Sequence, residues 1–109
     1  MSDCIFCKIA AHEIPKDFDY EDEDVMAFAD IHPITPIHIL IVPKKHIPDF
    51  MDVKENKILN KLREVAQKLV KEKGLEDKGF RLGLNAGGAQ VIGHLHIHLM
   101  GPLGKSVPM

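Results

Sequence analysis

The stretch His94-Leu95-His96-Ile97-His98-Leu99-Met100 constrains this 109-residue chain more than any other. Three histidines alternate with Leu, Ile and Leu. Period-two alternation marks a half-buried β-strand, in which residues i, i+2 and i+4 share a face. The spacing predicts a strand that presents His94, His96 and His98 together and anchors Leu95, Ile97 and Leu99 in a core. Each neutral imidazole brings one donor and one acceptor, and both need partners if the ring is buried. Such a row reads as a solvated strand face, a structural metal site or a catalytic set, because imidazole is the usual neutral-pH catalyst and metal ligand.

The rest of the chain narrows the context. Its length fits one domain, residues 1–109, and an apolar content of 45% fits a globular one. With a formal net charge of −2 and no basic stripe, nucleic acid is not an expected partner. No apolar run reaches the roughly 18 residues of a membrane span, and Met1-Ser2-Asp3-Cys4 does not open like a secretory signal. Two cysteines make no disulfide scaffold, so a reducing, cytoplasmic setting is expected.

Turn signals divide the chain into the short elements of an α+β domain. Ile5, Phe6, Ile9 and Ala10 recur at helical spacing before Pro15. Cys4 and Cys7 lie at i and i+3, as a redox pair, a zinc half-site or two packed thiols do. Residues 17–29 read as a hairpin with a solvated acidic turn, followed by Asp30, a local turn cap or a hydrogen-bond acceptor for sugar hydroxyls. Ile37-His38-Ile39-Leu40-Ile41-Val42 reads as a central strand ended by Pro43, and His46 in the basic turn after it as a possible metal ligand. Asp52 with Glu55 has the pattern of a capping box. It would open an amphipathic helix through Ile58, Leu59, Leu62, Val65, Ala66, Leu69 and Val70 to Gly74. Residues 80–85 read as another strand. The loop Ala86-Gly87-Gly88-Ala89-Gln90-Val91-Ile92-Gly93 is either a hairpin turn or, leading straight into His94, a phosphate cradle.

These residues together resemble the histidine triad (HIT) family in its Hint-like branch. The likeness rests on the triad stretch itself, on Asp30-Ile31, on Thr35-Pro36-Ile37-His38 running through Pro43-Lys44-Lys45-His46, and on Asn85. It extends from about Cys4 to Pro102. The resemblance implies a five-stranded antiparallel sheet with two helices, dimerising edge to edge. It also implies hydrolysis at the α-phosphate of purine nucleoside phosphoramidates of AMP or GMP, through a nucleotidyl-histidine intermediate. On that pattern His96 is the nucleophile, and His98, Asn85 and the loop amides near Ala89, Gln90 and Val91 hold phosphate oxygens. His38 supports the triad, Asp30 takes the ribose, and Phe6, Ile9, Phe28 and Ile31 line the base pocket. Cys4, Cys7, His46 and His94 match the ligands of a structural zinc.

The chain departs from the pattern in two places. Val91 stands where Hint-like members usually carry Ser or Thr, so no hydroxyl is there to donate, and Gly93 replaces a common aromatic. The tail Gly101–Met109 lacks the tryptophan some relatives place near the leaving group. Cleavage of dinucleoside polyphosphates and nucleotide binding with little turnover are the alternatives.

Overall fold

The computed structural model describes residues 3–104 and 106–109. Helix α1 (Ile5–Ala10) precedes strands β1 (Phe18–Glu21), β2 (Val25–Ala29) and β3 (Ile37–Pro43). A 3₁₀ turn (Phe50–Asp52) leads to helix α2 (Asn56–Glu72), then β4 (Arg81–Gly83) and β5 (Ile97–Gly101). The strands form one sheet in the order β1-β2-β3-β5-β4, with every pairing antiparallel. The expected five strands and two helices are therefore all present. Among the described residues no helix is long and apolar enough to cross a membrane.

β2 and β3 are apolar on both faces, and the sheet is covered on both. Val25, Ala27, Ile39 and Ile41 join Leu62, Val65, Ala66, Leu69 and Val70 of α2 in one cluster. Met26, Phe28, Leu40 and Val42 form a second cluster with Phe6 and Ile9 of α1. Each buried Leu or Val contributes about 1.5–3 kcal/mol, so packing of its apolar stripe, more than intrinsic propensity, holds α2 in place. The helix ends as its sequence predicts. Gly74 takes φ +68°, its N–H donates to Lys71 O, and Leu75 N–H donates to Val70 O.

Its start differs from the expected one. Asp52 lies within the 3₁₀ turn, whose cap is Asp49, and α2 begins after Glu55 with no side-chain cap bond. The acidic hairpin turn is also not simply solvated. Asp22 accepts bonds from Tyr20 Oη, the amides of Asp24 and Val25, and Lys61 Nζ at 2.6–2.8 Å. Burial opposes the charge of Asp22, but these donors outweigh it and hold the carboxyl well below the usual carboxylate range.

The triad stretch is strand only in its second half. The β3–β5 ladder pairs Ile41 with Ile97 and Leu40 with His98, and His94, Leu95 and His96 precede it. Alternation nevertheless holds. Leu95, Ile97 and Leu99 join the α2 cluster, while His94 and His96 meet Phe6 of α1 edge-on. The histidine face is not solvated: His94 is 0% exposed and His96 6%.

Candidate active site and metal centre

Four imidazoles gather on the α1 side of the sheet, and backbone groups fix which nitrogen of each carries the proton. His96 Nδ1 lies 2.8 Å from His94 O. A carbonyl only accepts, so Nδ1 is protonated and Nε2 of a neutral His96 keeps a free lone pair. Ile34 N–H donates to His38 Nδ1 at 3.1 Å, which puts the His38 proton on Nε2. That proton lies between His98 Nδ1 at 2.8 Å and Asp30 Oδ2 at 3.4 Å, and the nearer acceptor takes it. His98 is left with a proton on Nε2. Burial, then the neighbouring His96 and His38, push His98 below the ordinary imidazole range, and Asp30 opposes them. A lone pair on His96 and a neutral donor on His98 therefore stand side by side, ring centroids 5.1 Å apart.

A second cluster sits at the other end of the same stretch. His94 Nδ1 lies 3.3 Å from Cys4 Sγ, 3.7 Å from Cys7 Sγ and 3.2 Å from His46 Nδ1. Cys7 Sγ lies 3.2 Å from His46 Nδ1. Zinc bonds of about 2.0–2.1 Å to nitrogen and 2.3 Å to sulfur place tetrahedral donors about 3.3–3.8 Å apart. The four atoms fit such a tetrahedron. His94 Nε2–H donates to Pro43 O at 2.8 Å, which turns the Nδ1 lone pair toward the centre. Without a cation, burial and the Cys4 thiol push Cys7 up to about 11. A dication at the centre inverts that preference and ionises the thiols. Cys4, Cys7, His46 and His94 thus form a closed Cys₂His₂ site suited to structural zinc, with no position left for substrate.

The family model described as scavenger mRNA decapping enzyme, C-terminal binding, matches residues 3–107. A histidine triad protein from Clostridium difficile superposes with a TM-score of 0.89 at 44% identity, covering 100% of this chain and 96% of that one. The chain belongs to the histidine triad family. Purine nucleoside phosphoramidase of Escherichia coli (strain K12) is 42% identical over 106 residues, 92% of this chain and 89% of that protein. A 14 kDa zinc-binding protein of Zea mays is 44% identical over 108 residues, covering 92% and 82%. With the histidine set described above, this makes the HIT chain a nucleotide hydrolase.

The other residues expected to bind nucleotide are placed unevenly in this HIT fold. Phe6, Ile9 and Phe28 are buried, and Phe6 packs edge-on against His96 and Phe28. They form a floor beneath the histidines, whereas Ile31 is 73% exposed. Asp30 Oδ1 accepts His32 N–H at 2.8 Å, the local cap that its sequence context suggests, and Oδ2 faces His38. Asn85 is exposed, two residues beyond Gly83, which pairs with His98.

The glycine-rich loop is tied down by a residue the sequence did not single out. Asp49 Oδ1 accepts Gly87 N–H at 2.6 Å and Gln90 Nε2 at 3.1 Å, and Gly88 N–H donates to Gln90 Oε1. The first amides of the expected cradle are therefore engaged by the chain's own side chains. Among the described residues the amides of Gln90 and Val91 donate to no protein acceptor, and the Val91 side chain is 94% exposed. Asp49 follows Pro48 and precedes a 3₁₀ turn, a cap position that only its Asp identity advertises.

Proposed function

We propose that this HIT hydrolase cleaves purine nucleoside phosphoramidates at the α-phosphate, with His96 as the nucleophile. The carrying observation is the bond from His96 Nδ1–H to His94 O, which leaves Nε2 with the ring's free lone pair. Nε2 attacks phosphorus, the P–N bond to the leaving amine breaks, and the amine takes up a proton from solvent, which the hydrolytic step returns. Water then breaks the P–Nε2 bond and releases the nucleoside monophosphate. Phosphoryl transfer asks mainly for positioning and charge stabilisation. His98 Nε2–H, Asn85 and the amides of Gln90 and Val91 are the donors that hold the non-bridging oxygens. Asp30 takes the ribose hydroxyls and Phe6, Ile9, Phe28 and Ile31 the base, as the family pattern implies. His38 fixes the tautomer of His98. Zinc, when bound, supplies a cross-link between α1, the turn after β3 and the triad stretch. The phosphoramidase named among the relatives supports this substrate class.

The active unit of this reading is a homodimer. α2 and β4 leave a groove of about 730 Å³ in which Leu59, Leu62, Phe80, Leu82 and Ile97 lie beside Arg63, Lys71, Glu76 and Asp77. β4 is a free edge strand beside it, and edges of this kind are usually covered.

A rapid alkaline quench of the protein with an AMP phosphoramidate, followed by intact-mass spectrometry, tests the mechanism. The expected result is AMP attached to His96, with His96→Asn binding AMP but showing neither adduct nor turnover. An adduct mapped elsewhere, or substantial turnover by His96→Asn, overturns the assignment.

A further inference from the structure

The glycine-rich loop and the triad stretch are both tied to one short segment, Ile47-Pro48-Asp49. On one side Ile47 O accepts Leu95 N–H at 2.7 Å, one residue before His96, and Ile47 is itself buried. On the other side Asp49 Oδ1 accepts Gly87 N–H at 2.6 Å and Gln90 Nε2 at 3.1 Å, and Pro48 O accepts Gln90 Nε2 at 3.2 Å. Among the described residues, every hydrogen bond from residues 86–91 to a residue outside the loop ends on Pro48 or Asp49. Apolar packing holds the loop only at its far end, where Ile92 meets the α1 cluster, while Gly87, Gly88, Ala89 and Val91 are exposed. Both oxygens of Asp49 are engaged, Oδ2 by Met51 N–H at 2.9 Å. The amides of Met51 and Gly87 hold this carboxyl below the usual carboxylate range, so the acceptor is an anion. A bare carboxylate at a phosphate-binding loop would repel its ligand. Here N–H donors occupy it.

We propose that Asp49 is a positioning residue, whose carboxylate sets the place of the Gln90 and Val91 amides relative to His96. The chain of contacts is short. It runs from Leu95 N–H to Ile47 O, through one proline of fixed φ, and from Asp49 to Gly87 and Gln90. The loop is thereby closed onto the segment that also holds the approach to the nucleophile. In-line attack needs phosphorus about 3–3.5 Å from the attacking nitrogen, and a loop that wanders loses that alignment. Gln90 passes the hold along, because its Oε1 accepts Gly88 N–H at 2.9 Å. Without Asp49, Gln90 keeps only the 3.2 Å contact to Pro48 O, and Gly87 N–H keeps nothing. The consequence for turnover rests on the Gln90 and Val91 amides being phosphate donors. The effect on loop order does not.

Asp49→Ser is the informative variant. Its hydroxyl still caps Met51 N–H, but its oxygen sits one bond nearer the backbone and falls short of Gly87 and Gln90. The full chain is compared as wild type, Asp49→Ser and Asp49→Asn by thermal melts, amide hydrogen exchange, adenosine and AMP affinity, and rates on an AMP phosphoramidate. Asp49→Ser is expected to melt near wild type and to exchange the Gly88 amide faster, although Asp49 does not touch that group. Its AMP affinity and kcat/KM should fall about tenfold, the scale of one lost bond to a charged group. Its adenosine affinity should stay within about twofold of wild type, a shift below the scale of one lost hydrogen bond, because the loop meets only phosphate. Asp49→Asn, which keeps an oxygen at the same reach, should recover most of the rate. If Asp49→Ser does not fold, Gln90→Ala decides, since it cuts the same tie from the loop side and leaves the Met51 cap in place. Weakened AMP binding with adenosine binding retained supports the proposal there as well. Two results overturn it: wild-type AMP affinity and rate in the folded variant, or adenosine and AMP affinity falling together. AMP that leaves the Gln90 and Val91 amide signals unmoved in wild type overturns the phosphate reading and the kinetic role of Asp49 with it. Moved signals with wild-type rates in Asp49→Ser overturn the role of Asp49 alone.

Discussion

His38→Ala separates orientation from chemistry at the active site. In the wild-type protein this buried ring accepts Ile34 N–H at 3.1 Å and donates to His98 Nδ1 at 2.8 Å. Alanine removes both bonds. His98 keeps its place on β5 but no longer has a partner selecting its Nε2–H form. A net hydrogen bond is worth about 0.5–1.5 kcal/mol, so the poised fraction of His98 and with it kcat should fall about 2- to 12-fold. Loss of the His98 donor itself should cost about 10²–10³, and loss of His96 should abolish turnover. The three variants therefore form a graded series. Steady-state and single-turnover rates on an AMP phosphoramidate read it, at temperatures where each variant is folded. That control matters because each buried group left without a partner costs about 1–3 kcal/mol of stability. A His38→Ala enzyme as dead as His96→Ala would show that His38 itself takes part in bond making. An unchanged kcat would show that the tautomer of His98 does not need holding.

Three further outcomes are expected. Gly79→Ala should lose at least about 2 kcal/mol by denaturant unfolding, because φ is +76° and its Cβ would meet Gly104 O at 2.0 Å. Gly74→Ala, at φ +68° with nothing within 4 Å, should lose only the left-handed backbone term of about 1–2 kcal/mol. The native pKa of His98 is depressed, so the stability from keeping it neutral is present above its unfolded value near pH 6.5 and is lost as pH falls toward its native value. Thermal melts between pH 7 and 5 should be steeper for wild type than for His98→Gln, by at most about 1.4 kcal/mol per pH unit, and equal slopes overturn this. Val91→Ser, at a site 94% exposed, should leave Tm unchanged and raise kcat/KM no more than about tenfold, since a bond to a charged oxygen contributes about 1.5–3 kcal/mol before competition with water.

Local patterns in the sequence carried the scaffold well. The apolar run of β3, the stripe of α2 and the Gly74 stop each follow from side-chain period or backbone freedom alone, and the structure contains all three. The capping pattern at Asp52 failed because a competing local bond was nearer at hand: Asp49 captures Met51 N–H and winds Phe50–Asp52 into a 3₁₀ turn. The late start of β5 was not legible because its cause is tertiary. Pro43 O and Ile47 O, which hold His94 and Leu95, belong to residues about fifty positions away. The His94 ring proton shares that distant cause, whereas those of His38 and His96 are set two to four residues away by backbone turns that side-chain period does not report. The sequence supplied the four imidazoles, but Ile34 N–H, His94 O and Pro43 O decide which nitrogen of each is basic. Asp49 carried no pattern of its own, and its hold on Gly87 and Gln90 depends on two loops meeting.

The sharing of one strand between two layers sets how this protein tolerates change in length. Removing or adding a single residue between His94 and Leu99 would carry leucines into the catalytic layer and imidazoles into the apolar packing beneath α2. Both layers would fail in the same event, with no intermediate variant in which one is spared. The loop before His94 is under no such restriction, because its ties are hydrogen bonds from Asp49 and Gln90 and not a place in a ladder. Within residues 86–100, changes of length compatible with the fold are thereby expected in the loop before His94 and not in the stretch that follows it. Diversification of substrate by loop length is open to this scaffold at that segment, while the seven residues that follow are held to a fixed count.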